Sequence, residues 1–204
     1  MATRASCDFG RIVIGMGMMR TWIAGAILGL CCVVRADDVL TRVEAWLSAG
    51  IEPAGVHEQL RALGSAGEEA LWTLYADARK SRVVRLRALG ELAGFPSART
   101  AGGLAAIVRA APSSQDTLAR SPLVLRRALD GLSAIGETLP LGIEASELSF
   151  VASHPDAHVR KAAAKLLATV EHADVQLSAL ATRDPSRMVR ASAQRSQTMR
   201  AQRR

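Results

Sequence analysis

A twelve-residue pattern occurs four times in this chain and limits its fold more than any other feature. VRLRALGELAGF begins at Val84, VLRRALDGLSAI at Val124, VRKAAAKLLATV at Val159 and VRASAQRSQTMR at Val189, at intervals of 40, 35 and 30 residues. In the first three copies one phase holds Val84, Val124 and Val159, then Ala88, Ala128 and Ala163, then Leu92, Leu132 and Leu167, then Phe95, Ile135 and Val170. Steps of 4, 4 and 3 residues keep these positions on one helical face. The small residue within the stripe lets another helix approach closely. A hairpin with one apolar stripe per helix cannot bury itself, whereas a stack of hairpins makes a continuous core. The expected fold class is therefore all-α, an α-solenoid of about five helical hairpins.

Helical signals fill the rest of the chain from Asp37, and no strand pattern competes with them. Asp37-Asp38 caps a helix through Leu47, with Gly50 as its stop. A second helix is expected from about Gly55 to Leu63. Ser65-Ala-Gly-Glu68 reads as a capping box opening a third. Helices over Arg82–Ala93 and 98–111 follow, then one behind Ser121-Pro122 that ends at Gly136, where proline's missing N–H costs nothing. Glu144–Ser153, Ala157–Val170, Ala173–Thr182 and Pro185 to about Met199 complete the series, with Asp184-Pro185 repeating the cap-then-proline device. Beyond Met199 the polar sequence is expected to fray.

The segment from Leu148 to Ala193 resembles HEAT repeats, particularly the short type of bacterial bilin-lyase-like proteins. The residues that carry the resemblance are HPDAHVRKAAAKLL and, about thirty residues later, RDPSRMVRASAQ. Such units end their first helix at an Asp-Pro turn and begin the second with Val-Arg and small residues. Asp184, Pro185, Val189 and Arg190 match in place, as do Pro155, Val159 and Arg160. His154 occupies the Asp position of its unit, Arg79 stands where another Asp is expected, and Leu125 follows Val124 where Arg is expected. The resemblance implies an Asp–Arg ladder between neighbouring units, with the His154 rung altered. It also implies a scaffold that binds proteins or peptides, more rarely DNA or a cofactor, and does not select among them.

The N-terminus has a different character. Arg4, Arg11 and Arg20 precede TWIAGAILGLCCVV, fourteen residues without charge, and Val34-Arg35-Ala36 supplies the −3 and −1 positions of a signal-peptide cleavage site after Ala36. Residues 1–36 are thus expected to form a signal peptide, 37–200 the solenoid and 201–204 a basic disordered tail. The apolar core is short for a membrane span, which needs about 20 residues, although an uncleaved anchor remains the main rival. Leu30 before Cys31 is too bulky for the usual lipoprotein site, and a start at Met18 stands beside one at Met1. The expected location is periplasmic or secreted, with membrane anchoring as the alternative. Cys7, Cys31 and Cys32 all lie in this leader, so the remaining chain has no disulfide, thiolate or cysteine-metal chemistry.

The net charge of +7 is unevenly placed. Residues 37–182 carry 15 Lys/Arg against 17 Asp/Glu, while residues 183–204 carry seven Arg and one Asp. Arg187, Arg190, Arg195, Arg200, Arg203 and Arg204 are therefore the candidate contacts to an anionic surface: lipid headgroups, an acidic partner or a polymer. Export argues against nucleic acid. A polar end cap explains the same residues structurally, and the preference for Arg over Lys, 23 to 3, reflects GC-rich coding as readily as phosphate recognition.

Catalytic signatures are absent: no Gly-x-Ser-x-Gly, phosphate-binding Walker loop, His-Glu-x-x-His or Cys-x-x-Cys occurs. His154 and His158 flank Asp156, but Pro155 spoils the single-helix geometry of a two-His site, and His172 is distant in sequence. The expected role of Asp156 is to cap the helix that follows. Glu68-Glu69 point in divergent directions and suit a helix N-terminus; Trp46 and Trp72 sit on apolar stripes. The expectation is a non-catalytic protein-binding scaffold without cofactor or metal. Docking through the Arg-rich helix is the alternative, and a lyase-like enzyme the third reading.

Overall fold

Every regular element is helical in the computed structural model, which describes residues 36–49, 55–118 and 120–203. The α-helices are α1 (Ala36–Ser48), α2 (Val56–Ala62), α3 (Ser65–Ala76), α4 (Arg82–Glu91), α5 (Ala98–Ala110), α6 (Pro122–Ile135), α7 (Ser149–Ala152), α8 (Ala157–Leu167), α9 (Asp174–Arg183) and α10 (Arg187–Arg203). Leu92–Gly94 and Ala145–Leu148 are 3-10 turns. The fold is all-α over these residues.

The helices pack in two linked series. Helices α4, α6, α8 and α10 each touch the next. Helices α3, α5, α7 and α9 each pack on the helix that follows them in sequence. Helix α1 lies against α3 and α4, and α2 against α3.

The repeated stripe explains the first series. All twelve of its positions in the first three copies are buried, from Val84 to Val170. Ala88, Ala128 and Ala163 are fully covered, so neighbouring helices approach where the side chain is only a methyl group. Leu92, Leu132 and Leu167 are likewise fully covered, and burying each stabilises the fold by about 1.5–3 kcal/mol. The fourth copy keeps Val189 and Ala193 buried, then turns polar at Gln197 and Arg200. Arg200, at the place of Phe95, Ile135 and Val170, donates instead to the Leu167 carbonyl (3.1 Å) and the Val170 carbonyl, and pairs with Asp174 at 3.0 Å. It therefore closes the C-terminal end of α8 with a charged donor.

Local chemistry sets the helix starts. Ser81 Oγ accepts from the Val84 amide (3.3 Å) and Ser97 Oγ from the Thr100 amide (3.0 Å). Asp156 caps α8 as expected, accepting from His158 (2.7 Å) and Val159 (3.3 Å). Burial pushes the Asp156 carboxyl up, but these two amide bonds outweigh it and hold the group below the usual carboxylate range. Helix α5 crosses close to α3 at Gly103, where a Cβ would stand 2.5 Å from the Trp72 ring. Trp72 lies over that bare backbone and directs its indole N–H toward Thr100 Oγ1 (3.4 Å), a structural role.

Several expected boundaries move. The Ser65–Glu68 capping box does not form: Gly64, at φ 56°, precedes α3, and no side chain caps it. Glu68 is buried instead and accepts from Ser97 Oγ and Thr100 Oγ1, both at 2.6 Å, because two hydroxyls of α5 compete successfully for its carboxylate. Glu69 pairs with Arg99. The segment expected as one helix from Glu144 divides into the 3-10 turn and the single turn of α7, with Glu144 and Glu147 forming a capping box. Helix α10 begins at Arg187, beyond Pro185, and continues through Arg203; anchoring of Arg200 and an Arg203–Glu137 contact (3.4 Å) extend it past the point of expected fraying. Residues 1–35, Gly50 and Arg204 lie outside the described residues, and α1 begins at Ala36, the last residue of the expected leader.

Leu132→Ala should cost about 2–5 kcal/mol in urea unfolding because a fully covered side chain leaves a cavity. Ala134→Ser, exposed on the same helix, should stay within about 0.5 kcal/mol of the parent.

Candidate functional site

Four connections, α3–α4, α5–α6, α7–α8 and α9–α10, are closed by one device. A side-chain acceptor takes the backbone N–H two residues on: Asp77 from Arg79 (3.0 Å), Asp116 from Leu118 (2.8 Å), His154 from Asp156 (3.0 Å) and Asp184 from Ser186 (2.8 Å). Such local acceptors stabilise a turn by standing in for a backbone carbonyl. At His154 the acceptor is Nδ1, so the ring presents a lone pair there. The His154-Pro-Asp-Ala-His158 segment is thus a turn and a helix start, with His154 in the place of an aspartate.

Arginines join consecutive connections. Arg160, at the start of α8, grips Asp184 with Nε–Oδ2 at 2.7 Å and Nη2–Oδ1 at 3.0 Å. The side chains are 11% and 2% exposed, so this is a buried, two-pronged pair. The remaining donor of Arg160 reaches the carbonyls of His154 (2.8 Å) and Pro155 (2.9 Å). Arg190 repeats that grip thirty residues on, donating to the carbonyls of Asp184 (2.6 Å) and Pro185 (3.1 Å). Near the other end Arg85 approaches Asp116 at 3.7 Å, donates to the Tyr75 carbonyl (2.8 Å) and lies over the Tyr75 ring. The link between those two pairs would run from the residue after Val124 to the turn at 154. There Leu125 replaces the cation and His154 the acid, so both ends of the link are exchanged together.

Hydrogen bonding from Arg160 holds the Asp184 carboxyl below the usual carboxylate range, against burial, which would raise it. Asp77, half-buried, is lowered to about 2 by its side-chain and backbone bonds with Arg79.

Two hollows open on the described surface beside α9. One hollow, about 770 Å³, lies between the 140–146 connection and the turn holding Thr169 to His172, with Glu144 and Glu171 on its walls. The other, about 470 Å³, runs past His154, Arg160 and Asp184 to Arg183. Gln176 borders both, and its Oε1 is buried without a hydrogen-bond partner among the described residues. His172 holds the left-handed backbone conformation, φ 54°, at the rim of the larger hollow. The walls of the larger hollow offer acceptors and carboxylates suited to donor-bearing or cationic groups. Among the described residues no group of three or more His, Cys, Asp or Glu is placed to hold a metal ion.

The candidate arginines of the C-terminal helix do not act as one set. Arg190, Arg200 and Arg203 bond within the fold, Arg187 and Arg195 are exposed, and Arg204 lies outside the described residues. Comparison with protein-family models, with curated proteins and with solved structures finds no match for this chain.

Sequence reasoning missed Asp77 and Asp116 because it held the distance from acid to Val at the value found in the last units. Asp77 precedes Val84 by seven residues and Asp116 precedes Val124 by eight, against five for His154 and Asp184. The corrected position for the upstream turn is Asp77, two residues before Arg79, in a connection lengthened by the same amount.

Asp184→Asn should lower stability at neutral pH by about 3 kcal/mol, since it leaves the buried Arg160 charge uncompensated. A depressed carboxylate contributes stability fully present above its unfolded value, about 4, and lost as pH falls through the folded value. The parent should therefore lose stability more steeply than Asp184→Asn as pH drops below about 4, read by urea titration at successive pH values. His154→Ala, which removes one turn bond, should cost only about 0.5–1.5 kcal/mol.

Proposed function

We propose that this chain is an exported, non-catalytic scaffold: an α-solenoid of HEAT-like hairpins that binds a protein partner along its helical surface. The observation that carries this reading is the turn device, which recurs at Asp77, Asp116, His154 and Asp184 and closes the α3–α4, α5–α6, α7–α8 and α9–α10 hairpins alike. Support comes also from the ordered contacts of α4, α6, α8 and α10, since units that touch mainly their neighbours are the physical basis of a solenoid. Paired arginines between successive turns, Arg85 with Asp116 and Arg160 with Asp184, fix the spacing of units at both ends. Such an array presents an extended surface without needing a catalytic centre. Export rests on the leader sequence ahead of Asp37. Docking through the C-terminal arginines draws less support, because Arg190 and Arg200 bond to backbone carbonyls within the fold and Arg203 pairs with Glu137 at the surface.

Photo-crosslinkers placed singly along the second helices, in cells that express the full chain, test the reading. The expected result is one protein crosslinked from adjacent positions, which then forms a stoichiometric complex with the purified chain, whose N-terminus is Asp37. A purified chain that forms no such complex and instead turns over a substrate or retains a metal or chromophore overturns it.

A further inference from the structure

We infer that the outward face of α6 and α8 is a basic seat for an acidic segment of the protein partner. This inference rests on the scaffold reading and adds the chemistry of what is bound. Aligned on Val84, Val124, Val159 and Val189, the residues two positions on are Leu86, Arg126, Lys161 and Ala191, and those six positions on are Gly90, Asp130, Lys165 and Arg195. Cations therefore gather on the middle and last of these helices. Arg126, His158, Lys161 and Lys165 line one hollow between α6 and α8, with Asp130 as its single carboxylate. Asp130 is already matched by Lys165 at 2.9 Å. Arg126 and Lys161 have no hydrogen bond or ion pair among the described residues. Two of the three lysines in an arginine-dominated chain stand here, one helical turn apart.

A neighbouring cation strengthens the case. Arg127 lies directly over the backbone of Gly90, where a Cβ would come within 2.1 Å of Nη1. Its Nε is buried without an acceptor among the described residues. Among the described residues this guanidinium between α4 and α6 has no carboxylate, whereas Arg160, Arg109 and Lys80 each have one.

Size and spacing select the occupant. The hollow, about 170 Å³, is smaller than the sites that enclose whole small molecules, roughly 300–1,000 Å³, and suits one side chain of a longer ligand. Asp130 interrupts the cations, which disfavours a continuous phosphate backbone. Beside them, one position before each Val, stand Val83, 56% exposed, then Leu123, His158 and Met188. Cations beside Val83, Leu123 and Met188 fit a peptide that intersperses Glu or Asp with apolar side chains, and opposite charge speeds and orients such docking.

The test uses the full chain and a fluorescent synthetic peptide of alternating Glu and Leu with Ser spacers, read by anisotropy. Binding should weaken about tenfold in Arg126→Glu/Lys161→Glu, and also on raising salt from about 50 to about 300 mM. Arg42→Glu/Arg61→Glu, which alters exposed cations elsewhere, should bind within about twofold of the parent. Circular dichroism checks folding; should the reversal variant unfold, Arg126→Gln/Lys161→Gln should still weaken binding about threefold. Equal binding by parent and Arg126/Lys161 variants overturns the inference. So does tighter binding of phosphatidylglycerol vesicles or an oligothymidylate through the same two residues. If the crosslinked partner still complexes with Arg126→Glu/Lys161→Glu, the seat is wrong while the scaffold reading stands. If no partner complexes with the parent, the scaffold reading itself fails.

Discussion

The burial of one apolar stripe against the next is the constraint from which the rest of this molecule follows. The Val–Ala–Leu phase of α4, α6 and α8 is covered at every position. None of these helices could cover it alone, because a helix of ten to fourteen residues has too little propensity to stand in water without a packed face. The alanine in each stripe matters as much as the leucine: it sets how near the neighbouring helix can come, and so how completely the leucines are removed from water. The few aromatic side chains fit this economy, since close helix packing leaves little room for large rings, and Trp72 is admitted only where Gly103 clears space for it.

Polar groups then fix what burial leaves unspecified. Apolar stripes tolerate sliding; a side-chain acceptor that closes each turn and a fork of charge-assisted bonds from Arg160 do not. Burying a charge pair brings little net stability against an apolar alternative, because both ions lose their water. Its contribution here is positional: Arg160 touches its own turn through two carbonyls and the next turn through a carboxylate, holding both at a set distance. Where both charges are exchanged, at Leu125 and His154, the turn keeps its internal acceptor and gives up only the link. That separation of duties explains why a histidine can stand in an aspartate's place without disrupting the helix behind it.

Much of this was legible in the sequence, and the exceptions have physical causes. The stripe was readable because its 4, 4, 3 spacing is imposed by helical geometry and survives changes in every other residue. The turn acids at Asp77 and Asp116 were hidden because connections between helices accept extra residues at little entropic cost, which breaks a fixed offset. Glu68 followed a local capping pattern, but the hydroxyls of Ser97 and Thr100 arrive from a different helix, and no local rule anticipates them. The C-terminal arginines read as one charged set along the chain, yet folding sorts them: Arg200 faces the end of α8 while Arg195 remains exposed. The cations of α6 and α8 escaped notice for the opposite reason, being scattered in sequence and gathered only when helices lie side by side.

The central claim is that α4, α6, α8 and α10 succeed one another in space as they do in sequence. Distances between paired spin labels test it most directly, with Cys7, Cys31 and Cys32 replaced by serine so that engineered cysteines at Val83, His158 and Met188 are the only labelling sites. Adjacent packed helices lie roughly 10 Å apart, so the Val83–Met188 distance should exceed the Val83–His158 distance by about that amount. A Val83–Met188 distance equal to or shorter than Val83–His158 would mean that the helices close on themselves, and would contradict the account.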